Sequence, residues 1–215
     1  MVKIKKKYEN VNTLSRQQYN VALGSLLVSG LLLNFLMCQI NFGFSNSFAF
    51  IIGYLIATFV AIFIAHVSDN KIVLTLCYYA IVVPLGVVLS DVLNAYGMDS
   101  NIVRNAVLIT ALVSAIMFVA GCIWKEMFLG FGRILFVSLL SIIIVSLICM
   151  LFGIYPIWIS YLSAGIFSIY IGYDISVAQS IPCTYKNAVL CAMNLYLDIV
   201  NLLMDILNIV GNNKD

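Results

Sequence analysis

The sequence predicts an all-α integral membrane protein, a bundle of seven transmembrane helices, and three observations carry that prediction. Of its 215 residues, 63% are hydrophobic and 9% charged, with a mean hydropathy of +1.08; a water-soluble domain of this size does not have that composition. Apolar stretches of about 18 residues or more, the length needed to cross a bilayer, recur along the chain. The connections between them, NFGFSNS, SDNK, DVLNAYGMDSNI, WKEMFLGFG, GIYP and SIPCTYKN, leave no room for a soluble domain.

The spans fall at residues 21–40, 48–67, 72–90, 103–123, 132–152, 157–179 and 188–210. In lipid only helices or closed barrels satisfy the backbone, and these runs are too long for barrel strands. Ahead of the first span, residues 1–20 form a polar tail in which Lys3, Lys5, Lys6, Lys7 and Arg16 crowd together. Such a tail stays in the cytoplasm and meets anionic headgroups, so lipid is an expected partner. No basic face with interleaved aromatics exists beyond it, which argues against a nucleic-acid role. No small-residue cleavage site closes the first apolar run, which therefore reads as a retained span and not a signal peptide. The transmembrane domain then covers 21–211, and 212–215 form a short C-terminal tail.

In the third span, Pro84 either kinks the helix or is tolerated. The sixth carries Ser160, Ala164, Ser168, Gly172 and Ser176 at every fourth position, a small-residue ridge that lets helices approach closely. Asp174 lies about 200° around that helix from Gly172, toward a different neighbour. The seventh span holds NLYLDIVNLLMDILNIVGNN at 194–213. Its polar members Asn194, Asp198, Asn201, Asp205, Asn208 and Asn212 are separated by 4, 3, 4, 3 and 4 residues, which puts all six on one narrow helical face. The cysteines, Cys38, Cys77, Cys122, Cys149, Cys183 and Cys191, contain no CxxC and fall mostly inside apolar runs, the pattern of membrane packing and not of a disulfide framework or zinc site.

Basic residues set the orientation. With the N-terminus inside, the inner side holds the five tail cations plus Lys71, Lys125, Arg133 and Lys186, against Arg104 and Lys214 outside; the positive-inside bias is strong.

Few ionisable groups lie at membrane depth: Asp174, Asp198 and Asp205, with His66 and Asp91 near span ends. An intramembrane carboxylate is costly and faces the protein interior or water. The usual compensation is a buried Lys or Arg, and the spans contain no central one. The acids must instead share protons, bind cations or line water. Asp174 and Asp198 sit on consecutive antiparallel spans joined by a short loop, at depths that differ by several ångströms. Two carboxyls brought together cannot both ionise cheaply and titrate as a unit, which suits a pH sensor. Ionised, they are ligands for a hard cation such as Ca2+, with Asn side chains and waters completing the shell. The stripe of Asn194, Asn201, Asp205 and Asn208 then becomes the polar wall of an ion path. The Asn residues also have an ordinary reading, as hydrogen-bonding groups in a buried bundle centre.

GYDISVAQ at the end of the sixth span and NLYLDIVNLLMDILNIVG in the seventh resemble the Bax inhibitor motif family, whose sixth helix ends in an aromatic residue followed by Asp. Its last helix has the pattern Leu-Tyr-Leu-Asp-hydrophobic-hydrophobic-Asn-Leu, matched by residues 195–202. The resemblance implies six helices around a central C-terminal seventh. It also implies a calcium leak gated by a pH-sensitive aspartate pair, here Asp174 and Asp198, with Ca2+ as the transported or bound ion and no other cofactor. For a bacterial member it implies the plasma membrane. Family members commonly carry a basic residue near the inner end of the second helix that latches the sixth-helix acid; here IAHVSDNK offers His66 or the more distal Lys71. Many relatives have Arg ten residues after the last-helix Asp, where this chain has Asn208.

Intramembrane aspartyl proteases also place two aspartates on adjacent sixth and seventh helices. They need Gly-x-Gly-Asp at the second acid, where this chain has Leu195-Tyr196-Leu197-Asp198, so no enzymatic activity is expected. A cation/proton secondary transporter is the main alternative to a leak, since intramembrane acids suit both; a non-conducting regulatory scaffold is a third reading.

Overall fold

The computed structural model describes residues 13–40, 42–43, 48–97, 100–154 and 156–212. The tail lysines Lys3, Lys5, Lys6 and Lys7, most of the NFGFSNS connection, Met98, Asp99 and the C-terminal residues after Asn212 lie outside the described residues. Within them the chain forms eight helices: α1 Arg16–Met37, α2 Phe48–Val67, α3 Lys71–Tyr96, α4 Asn101–Ile123, α5 Lys125–Gly130, α6 Gly132–Leu151, α7 Trp158–Ser180 and α8 Tyr185–Asn212. Six of them, α1, α3, α4, α6, α7 and α8, are long and apolar enough to cross a membrane. The α2 helix has 20 residues and counts as apolar over Gly53–Val67. The short α5 forms inside the WKEMFLGFG connection.

Local chemistry moves several helix ends from where hydropathy alone puts them. The α1 helix begins at Arg16, inside the expected polar tail, because Ser15 and Gln18 form a capping box: Ser15 Oγ accepts from Gln18 N at 3.1 Å and Gln18 Oε1 accepts from Ser15 N at 3.0 Å. The α3 helix continues to Tyr96 instead of ending at 90. Asp91 accepts the Phe42 and Gly43 amides at 3.0 and 2.9 Å, Asn94 donates to the Ser90 carbonyl at 2.8 Å, and the helix stops at Gly97 with φ 81°. Pro84 is tolerated within it. Asn70 and Ser100 cap α3 and α4.

The most buried of the candidate spans is α8, which packs against α1, α2, α3, α4 and α7. Among the described residues the α6 backbone packs closely on α7 and α5, whereas the backbones of α2 and α6 are not close neighbours. The expected central position of the last helix agrees with the burial of α8, and side chains of α2, α6, α7 and α8 border a common cleft.

Three tyrosines anchor the closed side of the bundle, Tyr19, Tyr78 and Tyr196, all essentially fully buried. Tyr78 Oη donates to the Leu26 carbonyl at 2.7 Å, and Asn34 Nδ2 donates to Tyr196 Oη. The Tyr78 and Tyr196 rings meet edge-on with centroids 6.0 Å apart. Each ring thus fills apolar volume while its hydroxyl is satisfied, the condition for burying tyrosine.

At one end of the bundle the α7–α8 connection is tied down. Leu14 N donates to the Cys183 carbonyl at 2.7 Å. The Arg16 guanidinium donates to the Ala178 and Gln179 carbonyls at 3.2 Å each, a favourable place for a cation because α7 ends there with free carbonyls. Lys186 pairs with Asp69 at 3.1 Å. The start of α1, the α2–α3 turn and the α7–α8 turn therefore share one end of the molecule.

Candidate functional site

The four residues between α7 and α8 force these helices to run antiparallel as neighbours, and they form the most extensive helix pair in the fold. Asp174 sits six residues before the end of α7 and Asp198 thirteen residues after the start of α8. Their side chains meet across the pair within hydrogen-bonding reach of each other. The depth difference expected from hydropathy is thus closed. Asp174 is 6% exposed and Asp198 7%, and no donor among the described residues reaches Asp198 Oδ2. Carboxylates are acceptors only, so a hydrogen bond between two of them requires a proton held between the pair.

The acids line a cleft of about 790 Å³ bounded by α2, α6, α7 and α8. Asn194 and Asn201, one turn to either side of Asp198 on α8, line it with them, as do Tyr170 and Tyr173 of α7. Tyr170 lies close enough to interact electrostatically with both carboxyls. Among the described residues the lining contains no Lys, Arg or His, and most of it is apolar, including Phe59, Phe136 and Phe167. Among the described residues no three His, Cys, Asp or Glu side chains converge. A cation at the pair would have two carboxylates, with amide oxygens and water to fill its shell.

The rest of the α8 stripe behaves differently. Asn208 Nδ2 donates to Ser160 Oγ at 2.7 Å, and Asp205 engages Ser163, while Asp205 Oδ2 finds no donor among the described residues. Neither Asp205 nor Asn208 lines the cleft. Of the residues expected along an ion path, Asn194 and Asn201 line the cleft, whereas Asn208 and Asp205 engage Ser160 and Ser163 of α7. Asn208→Ala is therefore expected to cost about 0.6 kcal/mol, typical of an interhelical hydrogen bond in a membrane protein. Unfolding of the purified protein in mixed micelles measures it; a loss of several kcal/mol would mean the residue carries more than one contact.

His66 stands apart from the two acids. The side chain is exposed, and its Nδ1 lies 2.9 Å from the Ile62 carbonyl one turn back on α2. It does not line the cleft with the acids. Lys71 sits over the Tyr185 ring at 5.8 Å instead. Neither provides a basic latch for Asp174.

Sequence reasoning missed Tyr170 and Ser163, and it read Tyr173 only as the aromatic residue that precedes Asp174 in the family pattern. The tyrosines stand four residues and one residue before Asp174, so helical spacing brings Tyr170 onto the acid's face. Ser163 lies one turn from Ser160 but off the four-residue ridge that drew attention. Buried Asn34 could be noticed as the only amide inside α1's apolar run, but its partner Tyr196 could not.

A family model described as Bax1-I, Inhibitor of apoptosis-promoting Bax1, matches residues 11–215. No curated protein matches the chain.

Proposed function

The chain belongs to the Bax1-I family, and from that premise we propose that this multi-pass membrane protein is a pH-sensitive calcium leak, gated by protonation of the Asp174–Asp198 pair. One observation carries the reading: two acids from consecutive helices share a buried contact, with no cationic counterweight among the described residues of the cleft they line. Protons and a divalent cation compete for the same oxygens. With a proton between them the acids hold α7 to α8; with the proton gone, two carboxylates are oxygen ligands for Ca2+, and Asn194 and Asn201 offer amide oxygens beside them. Tight Ca2+ sites take six to eight oxygens and several charges. A pair of acids with amides and water suits passage more than capture.

In this reading α2 makes a seventh crossing, the N-terminus is cytoplasmic, and the membrane is the bacterial plasma membrane. The protein carries out no bond-breaking chemistry and holds no cofactor; Ca2+ and H+ are its ligands. Calcium flux into reconstituted vesicles, followed against pH, tests the proposal. Absence of flux at every pH would refute it. Flux that saturates and requires an opposing proton gradient would make the protein an exchanger.

The sign of the linkage follows from competition. Ca2+ binds the deprotonated pair, so its affinity rises as pH rises through the pair's titration, and binding releases the shared proton. Adding Ca2+ to protein in weakly buffered micelles is expected to acidify the solution, and Asp198→Asn to suppress the effect. A pH trace in wild type that does not differ from the variant would count against proton–calcium competition.

A further inference from the structure

The space between α2 and α6 has a property that an ion path does not need. The backbones of these helices are not close neighbours among the described residues, and residues bordering the cleft are strongly exposed on the bundle's outer surface: Phe59 70%, Phe136 64% and Leu147 51%. In a bilayer those side chains meet hydrocarbon, so the cleft opens sideways into lipid. It is elongated. From Ser163 to Asp174 the α7 wall runs about 16 Å at the helical rise, and the volume of about 790 Å³ lies in the range of roughly 300–1,000 Å³ of sites that enclose small organic ligands.

Its chemistry is asymmetric. Phe59, Phe136, Ile142 and Phe167 make most of the slot apolar, while Asp174 and Asp198 are set into the α7–α8 wall near one end. Both acids are more than nine-tenths buried. Among the described residues Asp198 Oδ2 has no hydrogen-bond partner and no basic side chain lines the cavity. An apolar slot reachable from the membrane, with an uncompensated anionic end, is complementary to an amphiphile of opposite charge.

We propose that the cleft between α2 and α6 binds a hydrophobic ammonium, a long-chain amine that enters laterally from the bilayer. Its head rests on Asp174 and Asp198, and its chain lies along α6 and α7. The ammonium supplies donors to acids that have too few and replaces the proton between them. Tyr170 and Tyr173 line the cleft with the acids, and the face of a tyrosine ring attracts a desolvated cation. A zwitterionic phospholipid fits less well, because its phosphate would come close to the carboxyls. The site requires the acid pair but no calcium path, so it goes beyond the leak reading and can stand or fall separately.

Photo-crosslinking in lipid nanodiscs tests it, with a diazirine-bearing dodecylamine and the matching dodecanol as probes and labelled peptides mapped by mass spectrometry. The amine is expected to label α2 and α6 residues around the cleft, and excess dodecylamine to compete it away. Asp198→Asn should reduce amine labelling about tenfold or more, equivalent to about 1.4 kcal/mol, while leaving dodecanol labelling unchanged. Ser146→Trp, which fills the slot and keeps both acids, should reduce labelling by both probes, and it covers the case in which Asp198→Asn does not fold. Equal labelling by amine and alcohol would mean the slot takes any lipid chain and would overturn the proposal, as would amine labelling that survives Ser146→Trp. If the amine fails to label but calcium flux remains pH-dependent and sensitive to the Asn variants, the leak reading stands and this one falls. Specific labelling without calcium flux would leave the amine site standing alone.

Discussion

Neutralising both acids, Asp174→Asn with Asp198→Asn, is expected to make calcium flux independent of pH, and either substitution alone to leave a shallower profile. Asn keeps the size and the hydrogen-bonding reach of Asp but can neither ionise nor exchange a proton. Two carboxyls in contact are expected to titrate in coupled steps. A single variant leaves one acid titrating beside an amide, which removes the coupling. The double variant leaves no titratable carboxyl among the residues that line the cleft. Calcium affinity is expected to fall as well, about tenfold or more for each acid removed, because a charge contact with a divalent ion in a poorly solvated cleft is worth well over the 1.4 kcal/mol that a factor of ten represents. Flux into vesicles across a pH series, with Asn208→Ala as a control outside the cleft, measures both effects. A wild-type profile retained in both single variants would remove the acids from any sensing role.

The acid pair was legible because its logic is local. Antiparallel neighbours joined by a short loop must lie side by side, and unpaired carboxyls at membrane depth must find something polar. What the sequence could not reveal was which non-consecutive helices stay apart. Hydropathy makes 48–67 and 132–152 both strongly apolar, and nothing in either states that they border a common cleft instead of packing backbone to backbone; that depends on how α6 packs on α7. The same limit applies to the stripe on α8. A line of polar residues at helical spacing shows one face, but whether that face meets a cavity or a serine depends on the opposing helix. Asn194 and Asn201 reach the cleft and Asn208 reaches Ser160 because α7 presents a different side chain at each level. The small-residue ridge on α7 divides for a geometric reason. A repeat of four drifts about 40° per step against the helical period, so over four steps Ser160 and Ser176 face directions about 160° apart. Ser160 meets Asn208 on α8, and Ser176 meets Gly121 on α4.

Gly121→Leu is expected to be the most damaging single substitution away from the cleft. At Gly121 the α4 backbone lies directly against α7: a Cβ there would overlap the Gly172 carbonyl oxygen and sit 3.0 Å from its Cα and carbonyl carbon. Ser176 Oγ completes the contact, 2.9 Å from the Gly121 carbonyl and 2.8 Å from that of Gly172. On another side of Gly172 the Phe128 ring of α5 fills the space a side chain would need. Such backbone approach is how small residues hold helices together in lipid, where no hydrophobic driving force separates helix from solvent. Because the obstacle to a side chain at 121 is backbone and not a rotatable group, the helices themselves must part. The cost of overpacking is typically 1–3 kcal/mol, and a rigid backbone obstacle puts Leu at about 3 kcal/mol or more, with Ala at the lower end of the range. Asp174 lies midway between Gly172 and Ser176, so α7 cannot move off α4 without shifting the acid against Asp198. Loss of stability on unfolding in mixed micelles and an altered pH profile of flux should therefore appear together in Gly121→Ala, although that residue carries no charge and lines no part of the cleft. Wild-type stability in Gly121→Leu would mean that α4 and α7 do not meet as closely as the fold requires.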